Sequence, residues 1–156
     1  MLNGMEKSNL TYHTFEAKID SEVFDQALLL YNLLFDDANT DFFTERLNSK
    51  DDIILNLCYK DNILVGFKIG YRYNKTTFYS WIGGVIQQER NRGIAKRLML
   101  IQHETAKKKG YKKVRTKSMN RFKPMMILNL KNGFEIVQVY TNDSGQTKIV
   151  FEKSLV

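Results

Sequence analysis

The chain has little of what marks the unusual protein classes. One cysteine in 156 residues cannot close an intramolecular disulfide or build a cysteine-rich zinc site. One proline and nine glycines exclude collagen-like and proline-rich chains. No long apolar run is present: the greasiest, Ala27 to Phe35, includes Asn32 and is far shorter than the ~20 residues a bilayer needs. It reads as a buried helix face. The two histidines, His13 and His103, lie far apart and form no ligand set, so no metal is expected. The stretch Met1 to Leu10 is polar and lacks the apolar segment of a signal peptide, which sets the expectation of a cytoplasmic protein. The glycosylation pattern Asn9-Leu10-Thr11 then reads as chance.

What is there fits one folded domain over residues 1–156. The 43% hydrophobic and 12% aromatic content is too rich for a disordered chain. Two domains would have about 78 residues each, near the size where a core needs metals or disulfides. Abundant Asn and Lys with a single Pro point to an AT-rich bacterial source. The net charge of +7 is unevenly spread. Between Gln87 and Lys131 fourteen lysines and arginines face only Glu89 and Glu104, and the rest of the chain is net acidic. Such a window is either a solvated basic face or a field for a polyanion: nucleic acid, anionic lipid or a phosphorylated cofactor.

Periodicity divides the chain into eleven segments. A strand is expected over Asn9 to Ile19, then a helix over Glu22 to Phe35 capped by Ser21, and a short helix over Asn39 to Leu47. Three strands follow, Asp52 to Lys60, Ile63 to Tyr73 and Thr76 to Ile86. Asp61-Asn62 and Asn74-Lys75 separate them as two-residue hairpin turns. Gly93 to Lys109 is the longest helical pattern, with Gly110 past its end. Lys112 to Ser118 is a strand, Pro124 to Lys131 a helix, and Phe134 to Thr141 with Gln146 to Lys153 a terminal hairpin. The order is βααβββαβαββ, an α+β chain with a mixed sheet.

The pivot is Val85-Ile86-Gln87-Gln88-Glu89-Arg90-Asn91-Arg92-Gly93-Ile94-Ala95, between a strand and the long helix. A helix N-terminus offers unpaired N–H groups and a partial positive charge, and so binds phosphate. Gly93 lets backbone approach a pyrophosphate, Ala95 keeps the first turn open, and Arg90 and Arg92 add charge. The segment Arg90-Asn91-Arg92-Gly93-Ile94-Ala95 resembles the acetyl-CoA motif Gln/Arg-x-x-Gly-x-Gly/Ala of the GCN5-related N-acetyltransferases (GNAT family). A second block agrees: Asn120 follows the next strand, and the short helix runs into Lys131-Asn132-Gly133-Phe134. Together the blocks span Thr76 to Phe134, and the element order matches the family fold.

The resemblance implies a twisted sheet with helices on both faces, splayed between the strand ending at Val85 and the one holding Val114. Backbone groups around Gly83, Gly84 and Val85 would bond the pantetheine arm as an added strand. Amides from Arg90 to Lys96, thus of Arg90, Asn91, Arg92, Gly93, Ile94, Ala95 and Lys96, would hold the pyrophosphate. Asn120 would bond the cofactor arm, and nearby lysines the 3′-phosphate. It further implies an N-acetyltransferase in which a primary amine attacks the acetyl thioester directly, with an oxyanion donor on the splayed strand near Gly84 or Val85. Relatives often carry a glutamate on that strand; Thr76 to Ile82 holds no carboxylate. The base would then be a water held by Ser80 or backbone carbonyls, or an acid from elsewhere. Asn129 stands where the family commonly has a tyrosine acid, and an amide cannot donate that proton. Tyr79 and Tyr140 are candidate substitutes, and thiolate departure without an acid is chemically feasible.

Several residues have plainer readings. Trp81, Tyr71, Tyr73 and Phe78 fit core or groove-lining positions, Cys58 a buried strand residue, and His103 a solvent-facing one. Met99, Met125 and Met126 are core or pocket filler. The acceptor side is expected from the first two helices, the Tyr71 to Asn74 hairpin and the last hairpin. Asp36, Asp37 and Asp41 there lean toward a cationic acceptor. Two alternatives compete with the transferase: a basic nucleic-acid-binding module, for which no recognition signature is present, and a GNAT fold that binds acyl-CoA without efficient catalysis. A homodimer is expected from the resemblance alone, and no membrane association.

Overall fold

The structure is a computed structural model describing residues 9–156. Its strands are β1 Leu10–Glu16, β2 Ile54–Lys60, β3 Ile63–Arg72, β4 Thr77–Val85, β5 Lys113–Ser118, β6 Glu135–Thr141 and β7 Thr147–Ser154. Its helices are α1 Ser21–Leu34, α2 Thr40–Asn48, α3 Ile94–Lys108 and α4 Lys123–Lys131. The expected order holds, with two short 3-10 turns added at Gln87–Glu89 and Asn120–Phe122. Boundaries move where local chemistry moves them. Asp20, one residue before Ser21, caps α1 by accepting from the Glu22 N–H at 2.8 Å. β1 stops at Glu16 because Ala17 turns left-handed and gives its N–H to the Ile53 carbonyl at 3.2 Å. Asn39 caps α2 through the Phe42 N–H at 2.9 Å.

The sheet runs β1-β2-β3-β4-β5-β7-β6. Every neighbouring pair is antiparallel except β4 and β5. Asp61 and Asn62 both take positive φ, the requirement of the tight turn that twisted strands favour. The next turn is longer than two residues, because the Asn74 side chain accepts from the Thr76 and Thr77 N–H groups and holds the loop open.

Alternation along the strands sends side chains to two cores. Leu55, Leu57, Phe67, Ile69 and Tyr71 meet Ala27, Leu30 and Tyr31 of α1 and Phe43 and Leu47 of α2. Ile54, Phe78 and Val114 meet Met99 and Ala106 of α3, with Met125, Met126 and Leu128 of α4 packed alongside. Cys58 is fully buried against Ile94 and Leu98. No helix among the described residues is long and apolar enough to cross a membrane.

Candidate active site

The sheet opens at one place. β4 and β5 pair from Thr77↔Lys113 to Ser80↔Thr116, and no further. The last tie is the Thr116 hydroxyl donating to the Ser80 carbonyl at 2.8 Å. Immediately beyond it, pairing with β3 slips from Gly70↔Ser80 to Ile69↔Ile82, leaving Trp81 as an extra residue. Such a bulge bends and twists a strand. Trp81 and Ile82 both pack toward α1 and α2, and the remainder of β4 leaves β5 without a partner on that side.

Backbone polarity past the bulge follows from one bond. The Ile86 N–H donates to the Val65 carbonyl of β3 at 2.9 Å. Groups alternate along a strand, so Gly84 faces β3, while the N–H and C=O of Gly83 and Val85 point into the gap. The sequence points to Gly83, Gly84 and Val85 together; the gap-facing pair is Gly83 and Val85. Gly84 is small for another reason: a Cβ there would lie 2.8 Å from Leu34 Cδ1.

The gap leads to the N-terminus of α3. Gly93 caps that helix in the left-handed conformation at φ 80°, with no side-chain bond to the first turn. The Arg97 N–H is the first to find a helical partner, the Gly93 carbonyl at 3.0 Å. The N–H groups of Ile94, Ala95 and Lys96 therefore remain as donors. The first turn holds no acid, and Lys96 and Arg97 stand at the positive end of the helix, the reverse of what its dipole favours. An anion would relieve that arrangement. The two predicted arginines are partly engaged. Arg90 Nε donates to the Val85 carbonyl at 3.0 Å. Arg92 lies 3.3 Å from Glu89, whose carboxyl is held below its usual range first by the Lys60 ammonium at 2.8 Å. Asn91, exposed, takes a left-handed turn. Asn120 is exposed and opens a 3-10 turn, its carbonyl accepting from Lys123 Nζ at 2.9 Å.

The expected catalytic side chains occupy different places. Tyr79 lies on the α1/α2 face with its ring 5.4 Å from Tyr71, and burial pushes its phenol well above the usual value, so it keeps its proton. Ser80 is buried at the last paired position. Asn129 is buried on α4, its carbonyl accepting from the Asn132 and Phe134 N–H groups. No hydrogen bond among the described residues joins these three side chains. Around Tyr79 the face is aromatic and basic. Arg46 donates to the Tyr71 hydroxyl at 2.9 Å and sits 5.5 Å from the Trp81 ring, and Arg115 sits 5.2 Å from Tyr73. Of the acidic trio, Asp37 is already paired with Arg121 at 3.2 Å. Arg46 escaped the sequence reading, because only the fold carries α2 to the bulge.

His103, read as solvent-facing, is buried at 4% exposure with its ring 5.5 Å from Phe134. Burial, followed by the charges of Lys68 and Lys153, pushes its pKa down to about 3. No group of metal-ligating residues occurs among the described residues.

No protein-family model matches the chain, and no curated protein does. Solved structures match it over nearly its whole length. A GNAT family acetyltransferase from Elizabethkingia anophelis with acetyl-CoA bound aligns with 95% of this chain and 99% of its own, at 23% identity and a TM-score of 0.74. The aminoglycoside 6'-N-acetyltransferase from Enterococcus faecium aligns over 92% and 97%, at 17% identity and 0.74. The ribosomal-protein-S18-alanine N-acetyltransferase from Escherichia coli aligns over 92% and 94%, at 11% identity and 0.73. With its mixed seven-stranded sheet parted between β4 and β5, the chain has the GNAT fold.

Proposed function

We propose that this chain is an acetyl-CoA-dependent N-acetyltransferase that moves the acetyl group to a primary amine. The observation that carries this reading is the parting of β4 from β5 beside a helix mouth with free donors. Acetyl-CoA supplies the activated acyl group. The Gly83 and Val85 backbone groups suit the amides of the pantetheine arm, which would take the place β5 vacates. The N–H groups of Ile94, Ala95 and Lys96 suit the pyrophosphate. The positive charge of Arg90, Arg92, Lys96 and Arg97 balances phosphate, with Asn120 and the lysines near it close to the arm and the 3′-phosphate.

The Gly83 N–H, first past the bulge and aimed into the gap, is the natural donor to the oxygen that gains charge as the amine attacks. The amine enters from the α1/α2 face, over Tyr79 and Trp81. With no carboxylate on β4, its proton passes to water in the open cleft.

Calorimetric titration with acetyl-CoA tests the site. Wild-type protein binds saturably, and Gly93→Asp weakens binding about 100-fold by setting a carboxylate against phosphate. Open space surrounds a Cβ at Gly93, and Asp tolerates a left-handed conformation, so the variant folds. Unchanged affinity in that variant rules the site out. Thiol release across an amine panel tests the transfer itself; binding with no release on any amine leaves an acyl-CoA-binding GNAT fold.

A further inference from the structure

We infer that Lys68 supplies the counter-charge for the thiolate that leaves when the thioester is cleaved. The inference rests on the transferase reading and adds a catalytic residue to it.

The position comes from register. Lys68 stands opposite Gly83 across the β3–β4 ladder. The Ile86–Val65 bond makes Lys68↔Gly83 a pair without mutual hydrogen bonds, the closer kind of pair. Lys68 Cγ lies 3.3 Å from where a Cβ on Gly83 would sit. Gly66, two residues earlier on β3, meets Ile94 and Leu98, so Lys68 projects to the α3 side. Lys68 therefore flanks the residue whose N–H opens the gap.

Its surroundings offer no resident partner. Lys68 is 6% exposed and forms no ion pair among the described residues. Asn56 of β2 stands opposite it in the ladder, His103 of α3 lies close enough to feel its charge, and one step further is Lys153 of β7, whose Nζ lies 3.4 Å from His103 Nδ1. All are neutral or basic. Asn56 Oδ1, both amide atoms of Gln102 and His103 Nε2 are buried without a hydrogen-bond partner. A buried ammonium is normally retained with a carboxylate beside it. Here burial alone lowers the lysine to about 8, which leaves it mostly charged at neutral pH. A buried ammonium with no permanent partner fits an anion that appears only during turnover.

On the transferase reading, the reaction makes such an anion beside Gly83, whose N–H would hold the acetyl oxygen. The amine nitrogen bonds to the thioester carbon, the carbon–sulfur bond breaks, and its electron pair stays on sulfur. The proton lost by the amine goes to water. The thiolate, paired with the Lys68 ammonium, takes a proton from water on release, so protons balance and Lys68 ends as it began. Asn129 need donate none.

The test reads ionisation of the thiol of free CoA bound to the protein, by thiolate ultraviolet absorbance against pH. In wild type the bound thiol should ionise about 1–3 pH units below that of CoA in solution. In Lys68→Met, checked for folding by circular dichroism, ionisation should return to the solution value; in Lys68→Arg the lowering should persist. A lowering that survives in Lys68→Met overturns the inference, as does wild-type ionisation at the solution value. The second result stands even where Lys68→Met does not fold. Failure of CoA to bind wild type overturns the transferase reading together with this inference, whereas binding with an unshifted thiol sinks the inference alone.

Discussion

On the α1/α2 side of the sheet, rings meet rings: Tyr31 stacks on Phe43 at 4.7 Å, and Phe43 lies 5.5 Å from Trp81. On the α3 side of the same strands, one residue along, Asn56, Lys68, Gln102 and His103 are buried with polar atoms that find few partners. β2 and β3 contribute to both faces, so strand geometry does not explain the contrast. The aromatic face is built for packing, where centroid distances of about 4.5–7 Å add to simple burial. The polar face keeps groups that cost about 1–3 kcal/mol each when unsatisfied. A fold that keeps them on the strands next to the parting of β4 from β5 gives up stability near the backbone proposed to face the ligand.

The contrast can be broken from either side. Phe43 is fully buried, and Phe43→Ala should lower stability by about 3–5 kcal/mol in urea unfolding. A loss under ~1 kcal/mol would mean the aromatic face is not the better packed. His103 offers a pH test. Its folded pKa, about 3, lies below the ordinary 6.5, so its contribution is intact above 6.5 and is lost as pH falls toward 3. Wild-type stability should drop about 1.4 kcal/mol per pH unit across that window from this residue alone. His103→Leu should remove that slope, and an unchanged acid limb would place the liability elsewhere. The smallest effect belongs to Gln102, fully buried with both amide atoms unpaired. Gln102→Leu should raise stability by about 1 kcal/mol in thermal unfolding; a loss instead would show that its amide is satisfied in solution.

Much of the fold is legible in the sequence, and the reasons differ by element. α3 announces itself through a long apolar period, a glycine at its mouth and lysines at its end. The features proposed to hold an anion, the glycine cap and free donors at Gly93 to Lys96, are local, so sequence carries them. The α1 cap falls on Asp20 rather than Ser21 because two adjacent residues can both cap and propensity does not separate them. The buried polar face is legible only in part. Gln102 and His103 follow Leu98 and Met99 by one helical turn and precede Ala106, but polarity alone reads as solvent. Lys68 alternates with Phe67 and Ile69 and looks like the wet side of a strand until α3 covers it. The bulge at Trp81 and the pairing of Lys60 with Glu89 depend on register and long-range contacts, which no local pattern encodes.

The bond from Arg90 Nε to the Val85 carbonyl has a consequence for how the cleft fills. The outermost acceptor on the open strand is already taken by the guanidinium at the mouth of the neighbouring helix. A carbonyl oxygen has two lone pairs, so a guest can share that oxygen with the arginine or displace it, exchanging one hydrogen bond for another of similar strength. The displaced cation is then free to turn toward the guest's own charges. On the proposed function, entry would be a swap at the doorway followed by a grip from the group just dislodged, so a single side chain would first screen the newcomer and then retain it.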